Sequence, residues 1–265
     1  MPDHRPDSDF IHRRRLLRDQ SRSRLHGKKE CQMPHRKNFL LNLLDPAVLR
    51  QIEPHLSVVD VKKHAVLGET HERIENVYFP HSGIISCVVE LIGGGAIETG
   101  MIGKDGEFGA SQALDDKICL SRVAVQFEGT ASLMSSDRLR EKANALPGFR
   151  KVLLQYDQFF LSQVQQNVAC NAVHDVQART CKWLLRMYEL AGADLVITQE
   201  YLAQMMGVRR TTVTLVATRL QKAGMISYHH GHLKIKKLDQ IRQCACECDE
   251  DVRSHYRRIF VSNEG

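Results

Sequence analysis

The chain lacks an uninterrupted apolar run of the roughly 20 residues that a membrane-spanning helix needs, and no apolar segment follows its N-terminus as a secretion signal would. It is read as soluble and cytoplasmic, with no membrane partner. Common catalytic signatures are missing too. The sequence has no phosphate-cradling GxxxxGK[ST] loop, no HExxH pair and no GxSxG nucleophile elbow. Isolated Cys and His residues occur, but their spacing does not bring them together, so an enzyme is not expected. Eight cysteines in 265 residues do not make a secreted disulfide framework, and the cytosol would keep them reduced.

What is present is a globular composition, 43% hydrophobic and 26% charged, which argues against wholesale disorder. The net charge of +6 is unevenly placed. Residues 1–38 carry eleven Lys/Arg against five Asp/Glu, and residues 194–238 carry seven against two, while the stretch between them is slightly acidic. Two basic regions on an acidic body point to a polyanion partner or, for a tail, to solubility alone. Residues 1–32 are Arg-rich, poor in large apolar residues and without helix caps, and are read as a disordered basic tail. A nucleic-acid-binding arm is one alternative. Another is that this segment lies upstream of a true start at Met33.

Residues 33–147 are read as one domain. Asp45-Pro46 and the apolar spacing from Phe39 to about Leu56 suggest two short helices. From Val58 to Met134, short β-rich segments (SVVDV, NVYFP, IISCVVELI, AIETGMI, RVAVQFEG, TASLM) alternate with glycine-bearing turns, the texture of an antiparallel roll. A long helix follows over 148–174, with Leu154, Leu161, Val164 and Val168 spaced by 7, 3 and 4 as a coiled-coil-like seam. Leu153, Tyr156 and Phe160 form a second stripe beside it. Two stripes suggest that this helix packs on its own domain and on a second copy; a single buried helix is the plainer alternative.

Residues 175–238 read as a winged helix-turn-helix. Asp175 caps a helix closed by Gly192, Thr198 caps the short helix QEYLAQMM, and Gly207 breaks it before a second helix closed by Gly224. In that second helix Val213, Val216, Ala217 and Leu220 recur at i, i+3, i+4, i+7 and form the inner face. Arg209, Arg210, Thr211, Thr212, Thr214, Leu215 and Thr218 lie at its start or on its outer and flanking positions. Threonines cost helix propensity, so an outer face loaded with them suits a partner other than water. Thr can hydrogen-bond a base edge or phosphate, and Arg can grip guanine in a bidentate fork. MISYHHGHLKIKK then reads as two strands about a His230-Gly231 turn, a wing whose Lys234 and Lys236 would lie along a DNA backbone. A helical hairpin with a merely solvated polar face is the bland alternative.

From about residue 39 to 238 this order resembles the CRP/FNR family of bacterial transcription regulators, most specifically in ITQEYLAQMMGVRRTTVTLVATRLQKAGMI. The resemblance implies an α+β chain: an N-terminal antiparallel β-roll (jelly roll), a long dimerisation helix and a C-terminal winged helix-turn-helix. It also implies a homodimer joined through helix 148–174, a two-fold double-stranded DNA operator, an effector sensed in the β-roll, and RNA polymerase as a partner. Arg210 and Thr211 fall where the family's base-reading residues fall.

The departures are informative. Cyclic-nucleotide-binding members carry Gly-Glu and then Arg-Ser/Thr-Ala in their phosphate cassette. Here Gly109 is followed by Ala110, and Arg122 by Val123, while Val164 and Gln165 stand where a Thr-Ser pair would meet adenine. Each lost hydroxyl or acceptor is worth about 1 kcal/mol or more in a buried site, so cAMP does not fit. If an effector occupies this region, Gly109, Ala110, Arg122 and Val123 are its candidate contacts. The iron–sulfur type of relative needs an N-terminal cysteine cluster, and only Cys31 stands there. Residues 239–265 form a C-terminal extension containing CACEC. Cys244, Cys246 and Cys248 are weak metal candidates there: they fall on one side of a strand, whereas on a helix only the outer pair aligns. A fourth ligand such as His232 or Cys181 would be needed, so neither zinc nor an iron–sulfur cluster is assigned. Two rival readings are a metal- or redox-responsive regulator using these thiols, and a small-molecule-binding module without DNA.

Overall fold

The computed structural model describes residues 34–115 and 117–261; the basic tail, with Cys31, lies outside the described residues. After a 3-10 turn at Pro34–Lys37 come two short helices, α1 (Phe39–Leu43) and α2 (Pro46–Ile52). Asn38 caps the first by accepting from the Leu40 and Leu41 N–H groups, and Asp45 caps the second by accepting from Ala47 N–H, with Pro46 in the first turn as expected.

Seven strands follow: β1 (Ser57–Val61), β2 (Val66–Gly68), β3 (Asn76–Pro80), β4 (Ile84–Glu90), β5 (Ala96–Ile102), β6 (Arg122–Phe127) and β7 (Gly129–Ser135). They form two antiparallel sheets, ordered β1-β7-β3 and β2-β6-β4-β5. Period-2 burial fixes one face: Val77 and Phe79 of β3 are fully buried, as are Met134 and Ser132 opposite them on β7. The sheets are the roll the sequence predicts, with β2 as an added edge. A short helix, α3 (Ala110–Leu114), interrupts the roll, and α4 (Ser136–Ala145), capped by Ser135, leaves it.

The long helix is α5 (Pro147–Val173), about 40 Å at 1.5 Å per residue. Leu153, Tyr156, Phe159, Gln163 and Cys170 are buried along one side of it. The C-terminal part contains α6 (Val176–Ala191), β8 (Asp194–Val196), α7 (Gln199–Met205), α8 (Arg210–Lys222), β9 (Ile226–His229) and β10 (His232–Ile235), then α9 (Leu238–Cys244) and α10 (Cys248–Phe260). Its core, with Leu184, Met187, Leu202, Val213, Leu220 and Ile241, is continuous with Ile84, Val88 and Met101 of the roll.

The C-terminal extension is integral to the fold. The α10 helix lies on α5, with the Tyr256 ring 4.9 Å from Phe159 and Gln155 Nε2 donating to the Ile259 carbonyl at 3.1 Å. CACEC is neither one strand nor one helix: Cys244 ends α9, Cys246 lies in the link, and Cys248 begins α10. No helix among the described residues is long and apolar enough to cross a membrane.

Candidate nucleic-acid interface

The turn between α7 and α8 is built as its residues require. Thr198 Oγ1 accepts from Tyr201 N–H at 3.1 Å, Gly207 takes the left-handed conformation at φ 60°, and α8 ends before Gly224 at φ 69°. Val213, Val216, Ala217 and Leu220 are buried, whereas Thr211, Thr214, Leu215 and Thr218 are exposed with Arg209 and Arg210 before them. Thr212 is half-buried at the flank.

The threonines divide into two chemical groups. Thr218 Oγ1 donates to the Thr214 carbonyl at 2.8 Å, and the Thr214 hydroxyl has two acceptors in reach, the Arg210 carbonyl at 3.0 Å and Gln199 Oε1 at 2.7 Å. The Thr218 hydrogen is satisfied within the helix and the Thr214 hydrogen by one of its two acceptors, so both residues present methyl groups and lone pairs outward. Thr211 and Thr212, at the first turn, are not tied in this way. No side chain caps α8, because its N-cap position is Arg209. The first N–H groups of α8 and its partial positive charge are therefore available to an anion.

The wing has the predicted form. His230 (φ 48°) and Gly231 (φ 80°) make the two-residue turn, and β8-β10-β9 is antiparallel. Tyr228 O–H donates to the Ile197 carbonyl at 2.6 Å and staples the wing to the domain; burial pushes this phenol up to about 12. Lys234 and Lys236 are both exposed, Lys234 pairing with Asp194 at 3.3 Å. Arg210 pairs with Glu200 at 3.8 Å, with both side chains about two-thirds exposed. Such pairs are worth about 0–1 kcal/mol and yield readily to a phosphate or a base edge.

On α5 the seam residues are uncovered: Leu154 is 49% exposed, Leu161 57% and Val168 67%, with Val164 half-buried. The inner stripe is covered by the same chain, Leu153 and Tyr156 being buried and Phe160 partly so.

A cavity of about 280 Å³ lies between the roll and α5, lined by residues including Glu107, Gly109, Gln112, Val123, Tyr156, Leu161 and Val164. Of the four candidate contacts, Gly109 and Val123 line this cavity. Ala110 is buried but does not line the cavity; its N–H donates to Glu107 Oε2 at 2.8 Å. Arg122 does not line the cavity; its guanidinium pairs with Glu90 at 3.4 Å and Glu69 at 3.7 Å, the contacts of a structural residue. The sequence missed Glu107, whose carboxyl burial pushes up to about 8 against the Ala110 hydrogen bond. Nothing in its local pattern marks it as buried.

Cys244 is a correction. It packs with the winged-domain core, whereas Cys246 and Cys248 turn toward Cys170 and His174 at the end of α5. Neither His232 nor Cys181 joins them. Ligand sets that join distant segments cannot be found from local spacing.

Residues 178–244 match the family model of the Crp-like helix-turn-helix domain. No curated protein matches the chain. Among solved structures, FixK2 from Bradyrhizobium japonicum is similar with a TM-score of 0.62 at 13% identity, over 72% of this chain and 98% of that one. The c-di-GMP-responsive global regulator CLP of Xanthomonas campestris gives 0.60 at 15%, over 72% and 99%. A CRP-family transcriptional regulator of Thermus thermophilus gives 0.59 at 16%, over 71% and 96%.

Proposed function

We propose that this chain, which carries a Crp-like helix-turn-helix domain within the fold of the CRP/FNR regulators, is a homodimeric transcription regulator that reads a two-fold DNA operator. The observation that carries the reading is the outer face of α8, where Arg209, Arg210 and Thr211 stand at an uncapped helix start beside a basic wing. Arg210 and Thr211 would read base edges in the major groove. Thr214, Leu215 and Thr218 would offer methyl groups and lone pairs, and Lys234 and Lys236 would hold phosphates. The uncovered seam of Leu154, Leu161, Val164 and Val168 supports pairing of two copies through α5. RNA polymerase is the expected further partner.

The cavity supports an effector other than a cyclic nucleotide. Among the described residues its lining contains no Lys, Arg or His to hold a phosphate, and two of its residues, Glu107 and Asp157, are acids. A small neutral or cationic molecule with apolar surface fits that chemistry. Leu161 and Val164 belong both to the cavity wall and to the seam, so an occupant would bear directly on dimer packing.

Gel retardation of genomic fragments across a salt series tests the reading. The logarithm of the binding constant is expected to fall linearly with the logarithm of the salt concentration, since phosphate contacts release counterions. Failure to retard any fragment at low salt would contradict it. Calorimetry with cAMP and cGMP is expected to show no binding.

A further inference from the structure

The hinge between α5 and α6 carries chemistry that DNA reading does not use. Cys170 sits one turn before the end of α5, and His174 is its C-cap, so their side chains share one face at i, i+4. Opposite them, Cys246 in the α9–α10 link and Cys248 at the start of α10 approach from a segment more than seventy residues away in sequence. The four ligand atoms all lie within 4.8 Å of one another. Cys170 Sγ and Cys246 Sγ are 3.5 Å apart, as are Cys248 Sγ and His174 Nδ1. A tetrahedral site with zinc–sulfur bonds of about 2.3 Å has sulfur–sulfur edges of about 3.8 Å, so the set is already near that size. Cys170, Cys246 and Cys248 are buried.

We propose that Cys170, His174, Cys246 and Cys248 form a closed zinc site that pins α10 to the hinge. The surroundings suit it. His174 Nε2 meets Glu247 Oε1 at 3.1 Å, the carboxylate–histidine arrangement that turns the other ring nitrogen toward a metal. Gln166 Nε2 donates to Cys248 Sγ at 3.2 Å. Three thiolates with one Zn²⁺ leave a single negative charge, and the Lys182 ammonium acts on Cys170 from α6. Four protein ligands leave no open coordination position, so the role is structural or regulatory rather than catalytic. An iron–sulfur cube puts each cysteine on a different iron and needs its thiols farther apart than one tetrahedral edge. The site ties together the end of the seam helix, the residue that leads into the winged part and the C-terminal helix. Losing the metal would free α10 from the hinge.

The test is metal analysis of the full chain purified under reductant without chelator. About one zinc per chain is expected, with Cys244→Ser retaining it and Cys246→Ser, Cys248→Ser and His174→Ala losing it. Replacement by Co²⁺ should give the visible bands of a tetrahedral site and thiolate charge transfer. Should a variant fail to fold, wild type stripped of metal and titrated with Zn²⁺ under reductant should show three of its eight cysteines becoming unreactive to a thiol reagent. The proposal is overturned by substoichiometric zinc, by zinc that survives Cys246→Ser, by stoichiometric iron and sulfide, or by a Cys170–Cys246 disulfide in the reduced preparation.

Discussion

Arg210 is held by little. Its ion pair with Glu200 is long and solvated, so exchanging it for a guanine edge costs about 1 kcal/mol or less and gains a bidentate fork. Arg210→Ala is expected to weaken operator binding by about 1–3 kcal/mol and to relax preference at one base pair per half-site. Lys236→Ala should instead weaken binding to every sequence and flatten the salt dependence, because phosphates carry no sequence. Titrating both variants on matched and scrambled operators separates these outcomes. A buried acid makes a second prediction at this scale. Both carboxylate oxygens of Glu98, on β5, are buried without a hydrogen-bond partner, and burial holds its pKa well above the usual 4.5. The unfolded chain ionises this group above that pH while the folded chain keeps it protonated. Stability is therefore lost as pH rises through the unfolded value and toward the folded one. Glu98→Gln removes that loss: melting curves should show no gain near pH 4 and a gain that grows as the pH is raised toward 8. A difference independent of pH would show that Glu98 is not the titrating group.

The elements differ in how far local sequence determines them. The helix-turn-helix was legible because each of its signals is local: Thr198 and Gly207 bound one helix, Gly224 stops the next, and the apolar positions of α8 repeat every three or four residues. The roll was legible for the same reason, except for the three-residue strand β2, which is too short to show alternation. The C-terminal helix α10 escaped notice, although Asp249, Glu250 and Asp251 in its first turn and Arg257 and Arg258 in its last match the helix dipole. The cysteine set was legible only by half: CACEC marks Cys246 and Cys248, whereas Cys170 and His174 join them only through tertiary packing. The seam on α5 was legible as a stripe, and its exposure in one chain supports its use between two. Leu161→Asp with Val164→Asp would place two charges inside that contact, where they have no partners. Light scattering should report a monomer; a persisting dimer would mean that another surface joins the copies.

At the scale of the whole molecule, the roll and the winged part share one core. Gly207, in the turn before α8, faces Ile97 of β5 closely enough that an added Cβ would lie 3.1 Å from its side chain. The turn between α7 and α8 thus rests on the roll, and α5 carries both the cavity wall and the exposed stripe of Leu161 and Val164. An occupant of the cavity should therefore change dimer affinity and operator affinity together, by the same coupling free energy in both directions of linkage. Sedimentation of the dimer with and without a ligand found by screening would measure that coupling. The central claim, that α8 reads DNA as one of a pair, is tested most directly by selecting binding sites from random DNA with wild type and Arg210→Ala. A two-fold motif is expected, with half-sites centred about 34 Å apart, and with one base pair per half-site losing its preference in the variant. An unchanged motif in Arg210→Ala, or a motif without two-fold symmetry, would contradict the account.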